Sequence, residues 1–84
     1  MSYQVFLLRR AQKSLAALPA SVRRRIEGAV RDLGSVPRPR GSKKLTDRNG
    51  HRLRVGDHRI VYEVDDAAGE VTVLTIAHRR DSYR

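Results

Sequence analysis

The sequence closes on His78-Arg79-Arg80-Asp81-Ser82-Tyr83-Arg84, which sets an imidazole, guanidinium groups and a phenol directly behind an apolar run. Those residue types suit phosphoryl chemistry without a metal. Cleaving RNA by its own 2′-hydroxyl needs a base for that hydroxyl, cations where charge gathers on the phosphate, and an acid for the departing 5′-oxygen. A second basic group lies upstream, where Arg52, Arg54 and Arg59 flank Gly56-Asp57. If Gly56-Asp57 is a two-residue hairpin loop, Val55 faces His58, Arg54 faces Arg59, Leu53 faces Ile60 and Arg52 faces Val61. Like charges directly opposite each other destabilise a sheet by up to ~1 kcal/mol, so stability does not explain an Arg54–Arg59 rung. A phosphate clamp does. The alternative is a solvated basic face with its charges splayed apart. His51 and His58 have no carboxylate or cysteine set around them, and three histidines in a chain without Cys make no metal site at usable spacing.

These groups must be held by a small framework. Eighty-four residues have room for one core, so residues 1–84 are expected to form a single domain. The tail of the opening segment Tyr3-Gln4-Val5-Phe6-Leu7-Leu8 is the basic pair Arg9-Arg10, and the segment's aromatic and β-branched content predicts a strand. Ala11, Leu15 and Leu18 recur at helical spacing up to Pro19, which stops that helix or opens the next. Val22, Ile26, Val30 and Leu33 form one apolar stripe with Arg23, Arg24, Glu27 and Arg31 off it, and Gly34 and Pro37 follow as stop signals. The stretch from Val36 to Arg48 reads as a basic surface loop anchored by Leu45. Beyond His51 the period becomes two: Leu53 and Val55, then Ile60, Tyr62 and Val64, then Val71, Val73, Thr75 and Ala77. The expected fold is α+β: an N-terminal strand, an antiparallel helical hairpin, then a three-stranded antiparallel meander whose sheet is covered on one face by the helices. The Arg face is left open.

The formal charge is +9, with 15 Arg against 3 Lys, and this surplus of bidentate cations points to an anionic partner. No apolar run approaches the ~20 residues of a membrane span, and Met1–Leu8 has no leader pattern. A cytoplasmic protein is expected.

The stretch Arg52-Leu53-Arg54-Val55-Gly56-Asp57-His58-Arg59-Ile60-Val61-Tyr62-Glu63-Val64, followed by Val73-Leu74-Thr75-Ile76-Ala77-His78-Arg79-Arg80-Asp81-Ser82-Tyr83, resembles the RelE branch of the RelE/ParE toxin superfamily. The helical hairpin around Leu18-Pro19 and the Lys43-Lys44-Leu45 approach fit as well, so the likeness spans nearly the whole chain. The resemblance implies a ribosome-dependent endoribonuclease that cuts messenger RNA in the decoding site, works without a cofactor, and is neutralised by a cognate antitoxin that wraps it. By position, Arg59 and Arg79 match family arginines that hold the scissile phosphate, and Tyr83 matches a tail tyrosine. Arg52 and Arg54 fall where the best-known members have lysines. Arginine is a very poor general base, which leaves Arg54 as a clamp and leaves Tyr83 or His78 as the base. Lys43, Lys44, Arg52 and Arg80 are expected on RNA backbone, where contacts position without reading sequence.

A ParE-like toxin, which shares the fold and poisons DNA gyrase without cutting nucleic acid, is the alternative. The set Arg54, Arg59, Arg79 and Tyr83 favours RNA chemistry, since gyrase inhibition needs no such set. A non-catalytic RNA-binding module fits less well, because Tyr3, Phe6, Tyr62 and Tyr83 form no run of adjacent aromatics on which bases could stack.

Overall fold

The stripe of Val22, Ile26, Val30 and Leu33 folds as its spacing requires, into helix α2 (Ala20–Asp32) and its C-cap Leu33, with Ile26 and Leu33 fully buried and Val30 nearly so. Removing each such side chain from water stabilises the fold by roughly 1.5–3 kcal/mol. The computed structural model describes residues 2–45 and 50–78. Ahead of α2 come strand β1 (Gln4–Leu7) and helix α1 (Arg9–Ala16), which begins at the basic pair and two residues earlier than its first apolar position. Pro19 is the N-cap of α2, so it opens the second helix. After α2 come β2 (Lys43–Lys44), β3 (Gly50–Val55), β4 (His58–Asp65) and β5 (Glu70–His78).

The strands form one sheet in the order β1-β5-β4-β3-β2. The last three are the expected antiparallel meander, while β1 lies parallel to β5, with Val5 beside Val71 and Leu7 beside Val73. The α1–α2 hairpin covers one face. Ala11, Ile26, Val30 and Leu33 from the helices close on Ile60, Tyr62, Val64, Val71, Val73 and Ile76 from the sheet. Among the described residues no element covers the other face.

Three details depart from the sequence reading. The loop from Val36 carries a two-residue strand, since Lys43 pairs with Arg52 and Lys44 with His51, which adds an edge to the sheet. Gly34 does not take a left-handed conformation after α2. Its role is room: a Cβ there would lie 3.1 Å from the Tyr3 carbonyl, where the Tyr3 amide donates to the Gly34 carbonyl at 2.6 Å. The third departure is a β-bulge in β5. Val61 pairs with Thr75 and Tyr62 with Val73, which leaves Leu74 without a partner on β4. The extra residue reverses the alternation. Thr75 and Ala77 therefore turn to the open face, and Ile76 and His78 to the helix-covered one. The Leu74 carbonyl accepts from Arg10 Nε at 3.0 Å.

Two side-chain clusters tie the connections to the sheet. The buried Tyr62 donates its hydroxyl to the Pro37 carbonyl at 2.8 Å and stacks on the buried His51 with ring centroids 5.5 Å apart. Burial raises the Tyr62 phenol above its ordinary value. Near the chain's start, Arg38 grips Asp66 through both guanidinium nitrogens at 3.2 and 2.8 Å, and the Tyr3 hydroxyl donates to the same carboxylate at 2.6 Å. Arg38 first, and Tyr3 second, hold the Asp66 carboxyl below the usual aspartate range.

Candidate nucleic-acid site

The β3–β4 hairpin turns at Gly56, whose φ is +60°, while Asp57 stays in the negative half. A positive angle at the first central residue alone is the pattern of a type II′ turn, whose twist matches that of the strands. The register is the one that a two-residue loop dictates: Arg52 opposite Val61, Leu53 opposite Ile60, Arg54 opposite Arg59, Val55 opposite His58. Leu53, Val55 and Ile60 take the helix-covered face, so Arg54 and Arg59 stand together on the open one.

Next to them comes β2. Lys43 pairs with Arg52 and shares its face, and Gly41 (φ +95°) bends the incoming chain onto the sheet edge. Gly41, Lys43, Arg52, Arg54 and Arg59 line a concavity of about 210 Å³. Among the described residues none of these four cations makes an ion pair; the salt bridge present, Arg38–Asp66, lies at the other end of the sheet. At that end the open face is acidic, with Glu63, Asp65 and Glu70 at neighbouring register positions. Four cations that line one concavity and make no ion pair among the described residues have the chemistry to grip a phosphate. Their long side chains come from two adjacent strands and an edge strand, which fixes their roots on a rigid surface.

The sequence-derived candidates divide accordingly. Arg54, Arg59, Arg52 and Lys43 come together. Lys44, opposite the buried His51, alternates to the other face from Lys43, and it lines a groove at the acidic end of the sheet with Arg38, Glu63 and Asp66, so it is not part of the cluster. His78 is separated too. The bulge at Leu74 places it on the helix-covered face against His58, their rings edge to face at 5.2 Å, so its imidazole does not share a face with Arg59. Uninterrupted alternation along β5 would have placed it there. Arg79, Arg80 and Tyr83 lie outside the described residues. The part of Gly41 was missed by reading residues 36–48 as plain loop; the glycine ahead of a Lys-Lys pair was the available signal.

Comparison with known proteins matches residues 5–83 to the model of the family described as ParE toxin of type II toxin-antitoxin system, parDE. The chain belongs to the RelE/ParE toxin superfamily. A curated relative, Toxin RelE of Mycobacterium tuberculosis, is 33% identical over 84 residues, covering 98% of this chain and 87% of its own. Among solved structures, the toxin chain of the archaeal RelE-RelB complex from Pyrococcus horikoshii superposes with a TM-score of 0.85 at 28% identity, covering 94% of this chain and 97% of that one. The toxin-antitoxin complex RelBE2 of Mycobacterium tuberculosis gives 0.83 at 27% identity, covering 94% of this chain and 93% of that one. The protein is thus the toxin of a type II toxin–antitoxin system, with relatives on the RelE side. No helix among the described residues of the toxin is long and apolar enough to cross a membrane.

Proposed function

We propose that the toxin is a ribosome-dependent endoribonuclease that cuts messenger RNA through its 2′-hydroxyl without a metal. The observation that carries this reading is the Arg54–Arg59 rung with Arg52 and Lys43 beside it, unneutralised on an open face. In this reading Arg54 and Arg59 hold the scissile phosphate and stabilise the charge that builds on it in the transition state. Lys43 and Arg52 hold flanking backbone. His78, the last described residue of β5, lies opposite His58 on the strand that carries Arg59, and the family resemblance together with this closeness in sequence supports assigning Arg79 to the phosphate, Arg80 to backbone and Tyr83 to proton transfer. Lys44 and His78 have no part in it, because their side chains lie on the other face. Tyr83 moves one proton, and the ribosome orients the substrate and supplies the second proton-transfer group. The RelE relatives named for complexes with RelB support a cognate antitoxin partner; a segment with acidic side chains over the hairpin would block the site.

The family model's ParE description favours a second reading, inhibition of DNA gyrase without nuclease activity. Inducing the toxin in cells while following messenger integrity and DNA breaks separates the two. Prompt cleavage of translated messengers with intact DNA is expected. Double-strand breaks with intact messengers would overturn the nuclease reading, and so would rapid cleavage of naked RNA by the pure protein overturn its dependence on the ribosome.

A further inference from the structure

Helix α2 carries a glycine that the fold does not use. Gly28 sits in the middle of Ala20–Asp32 without a positive φ. A Cβ there would come within 4 Å of one side chain among the described residues, the Arg31 guanidinium, at an ordinary contact distance of 3.7 Å. Alanine would fit, and it would hold the helix better, because a glycine inside a helix costs backbone entropy. Neither conformation nor packing among the described residues asks for the bare position.

Its neighbours on the helix surface are cations. With Ile26, Val30 and Leu33 buried against the sheet, the helical period turns Arg24, Gly28 and Arg31 to the opposite side. Arg23 and Arg25 lean to the flanks, Arg23 into a groove beside α1 and Arg25 into a cavity of about 230 Å³ behind the β3–β4 hairpin, which His58 and His78 also line. Arg24 and Arg31 are exposed and make no ion pair among the described residues, although Glu27 stands four positions before Arg31. The helical layer has three basic residues on α1 and four on α2 against two acidic ones, Glu27 and Asp32. The ridge is convex, with the roots of Arg24 and Arg31 about 10 Å apart along the axis at roughly 1.5 Å per residue. Between them the glycine leaves room for another backbone to come close.

We propose that the outer ridge of α2 docks the sugar-phosphate backbone of double-helical RNA, with Arg24 and Arg31 on phosphates and a ribose seated at Gly28. The proposal rests on the nucleic-acid reading of the toxin and adds a second surface to it, across the helical layer from the arginine rung. A duplex presents its phosphates and 2′-hydroxyls at fixed spacings and is recognised by shape, which suits a straight helix with two cations rooted on it. A single strand, which bends to fit, belongs to the concavity of the open face. Held between two RNA surfaces, the toxin is oriented by the folded one and acts on the single-stranded one, which gives the ribosome's structured RNA a contact point in positioning the toxin.

The test uses the full-length protein, a blunt RNA duplex of about 16 base pairs and a single-stranded RNA of the same length. Gly28→Ala is expected to melt about 4 °C higher than wild type and to bind the duplex about fivefold more weakly, with its affinity for the single strand unchanged. Arg24→Gln and Arg31→Gln each reduce the salt slope of duplex binding by about 0.9 and leave the single-strand slope as it is. Arg59→Ala does the reverse, losing affinity for the single strand and keeping it for the duplex. If Arg59→Ala changes nothing, the open-face reading fails while the ridge is still judged on the duplex. A Gly28→Ala protein that binds duplex like wild type overturns the proposal, as does one that melts lower, since the glycine then serves the fold. A duplex salt slope that ignores both Arg24 and Arg31 overturns it too. So does a helical glutamate-rich peptide whose binding is weakened by Gly28→Ala where duplex binding is not, because that assigns the ridge to a protein helix.

Discussion

Arg54 and Arg59 face each other across one rung with no carboxylate among the described residues to neutralise them. Because such a pair costs stability, removing one member separates function from fold. Arg59→Ala is expected to lower the rate of messenger cleavage about 100-fold, by analogy with loss of one preorganised donor, while the melting temperature holds or rises. Growth inhibition and thermal melting of the same protein check both halves, and full toxicity with a normal melt would end the clamp. Asp66 makes the opposite prediction, since its partners support the fold. Its folded carboxyl is held below the ordinary value of ~3.9, so its contribution is present above that value and is lost as pH falls through the folded one. Asp66→Asn should therefore melt lower than wild type at pH 6, with the gap closing as the pH falls below the ordinary aspartate value. The rung was readable in the sequence because a two-residue loop leaves one register. The Tyr3–Asp66–Arg38 cluster was not, because its members lie on three segments that meet only when the sheet has closed.

At the level of elements, the hairpin and the bulge decide which side chains share a face. Gly56 takes a conformation that other residues reach at a cost of about 1–3 kcal/mol, and an added Cβ would press towards Arg25. Gly56→Ala is expected to lower the melting temperature by about 4–8 °C for each kcal/mol lost. It should also weaken toxicity beyond what unfolding explains, because a shifted turn misaligns Arg54 with Arg59; toxicity that follows the folded fraction alone would refute the second part. Helix α2 and strands β3 and β4 were legible, since a stripe at helical spacing and a clean alternation each admit one burial pattern. The bulge left no mark. Val73, Leu74, Thr75 and Ile76 all suit a strand, so nothing in their types says which one goes unpaired. That one residue moved His78 from the arginine face to the cavity behind it. The short β2 was hidden for a different reason: two lysines carry no apolar alternation, and their strand exists only through its pairing with β3.

Across the whole molecule, the +9 charge is distributed and not uniform. The open face runs from Lys43, Arg52, Arg54 and Arg59 at the hairpin to Glu63, Asp65 and Glu70 at the far end. Nucleic acid should engage only the hairpin end. Contacts to a single-stranded backbone predict that the logarithm of affinity falls linearly with the logarithm of salt, and each of these four cations replaced by Ala should reduce the magnitude of the slope by about 0.7. Filter binding or fluorescence titration across a salt series measures it. A slope that grows with total charge and ignores these four positions would refute a localised site.

The parallel pairing of β1 with β5 has a consequence in time. Tyr3 and Asp66, which bridge the two ends of the chain beside that pairing, are 63 positions apart. At roughly 5–20 residues per second of synthesis, β1 waits on the order of 3 to 12 s before the strand that shelters it has been made. For most of that interval the helical hairpin has no sheet to cover, since β3 and β4 begin only at Gly50 and His58. That interval is when the first strand of a newborn copy is open to capture by another chain.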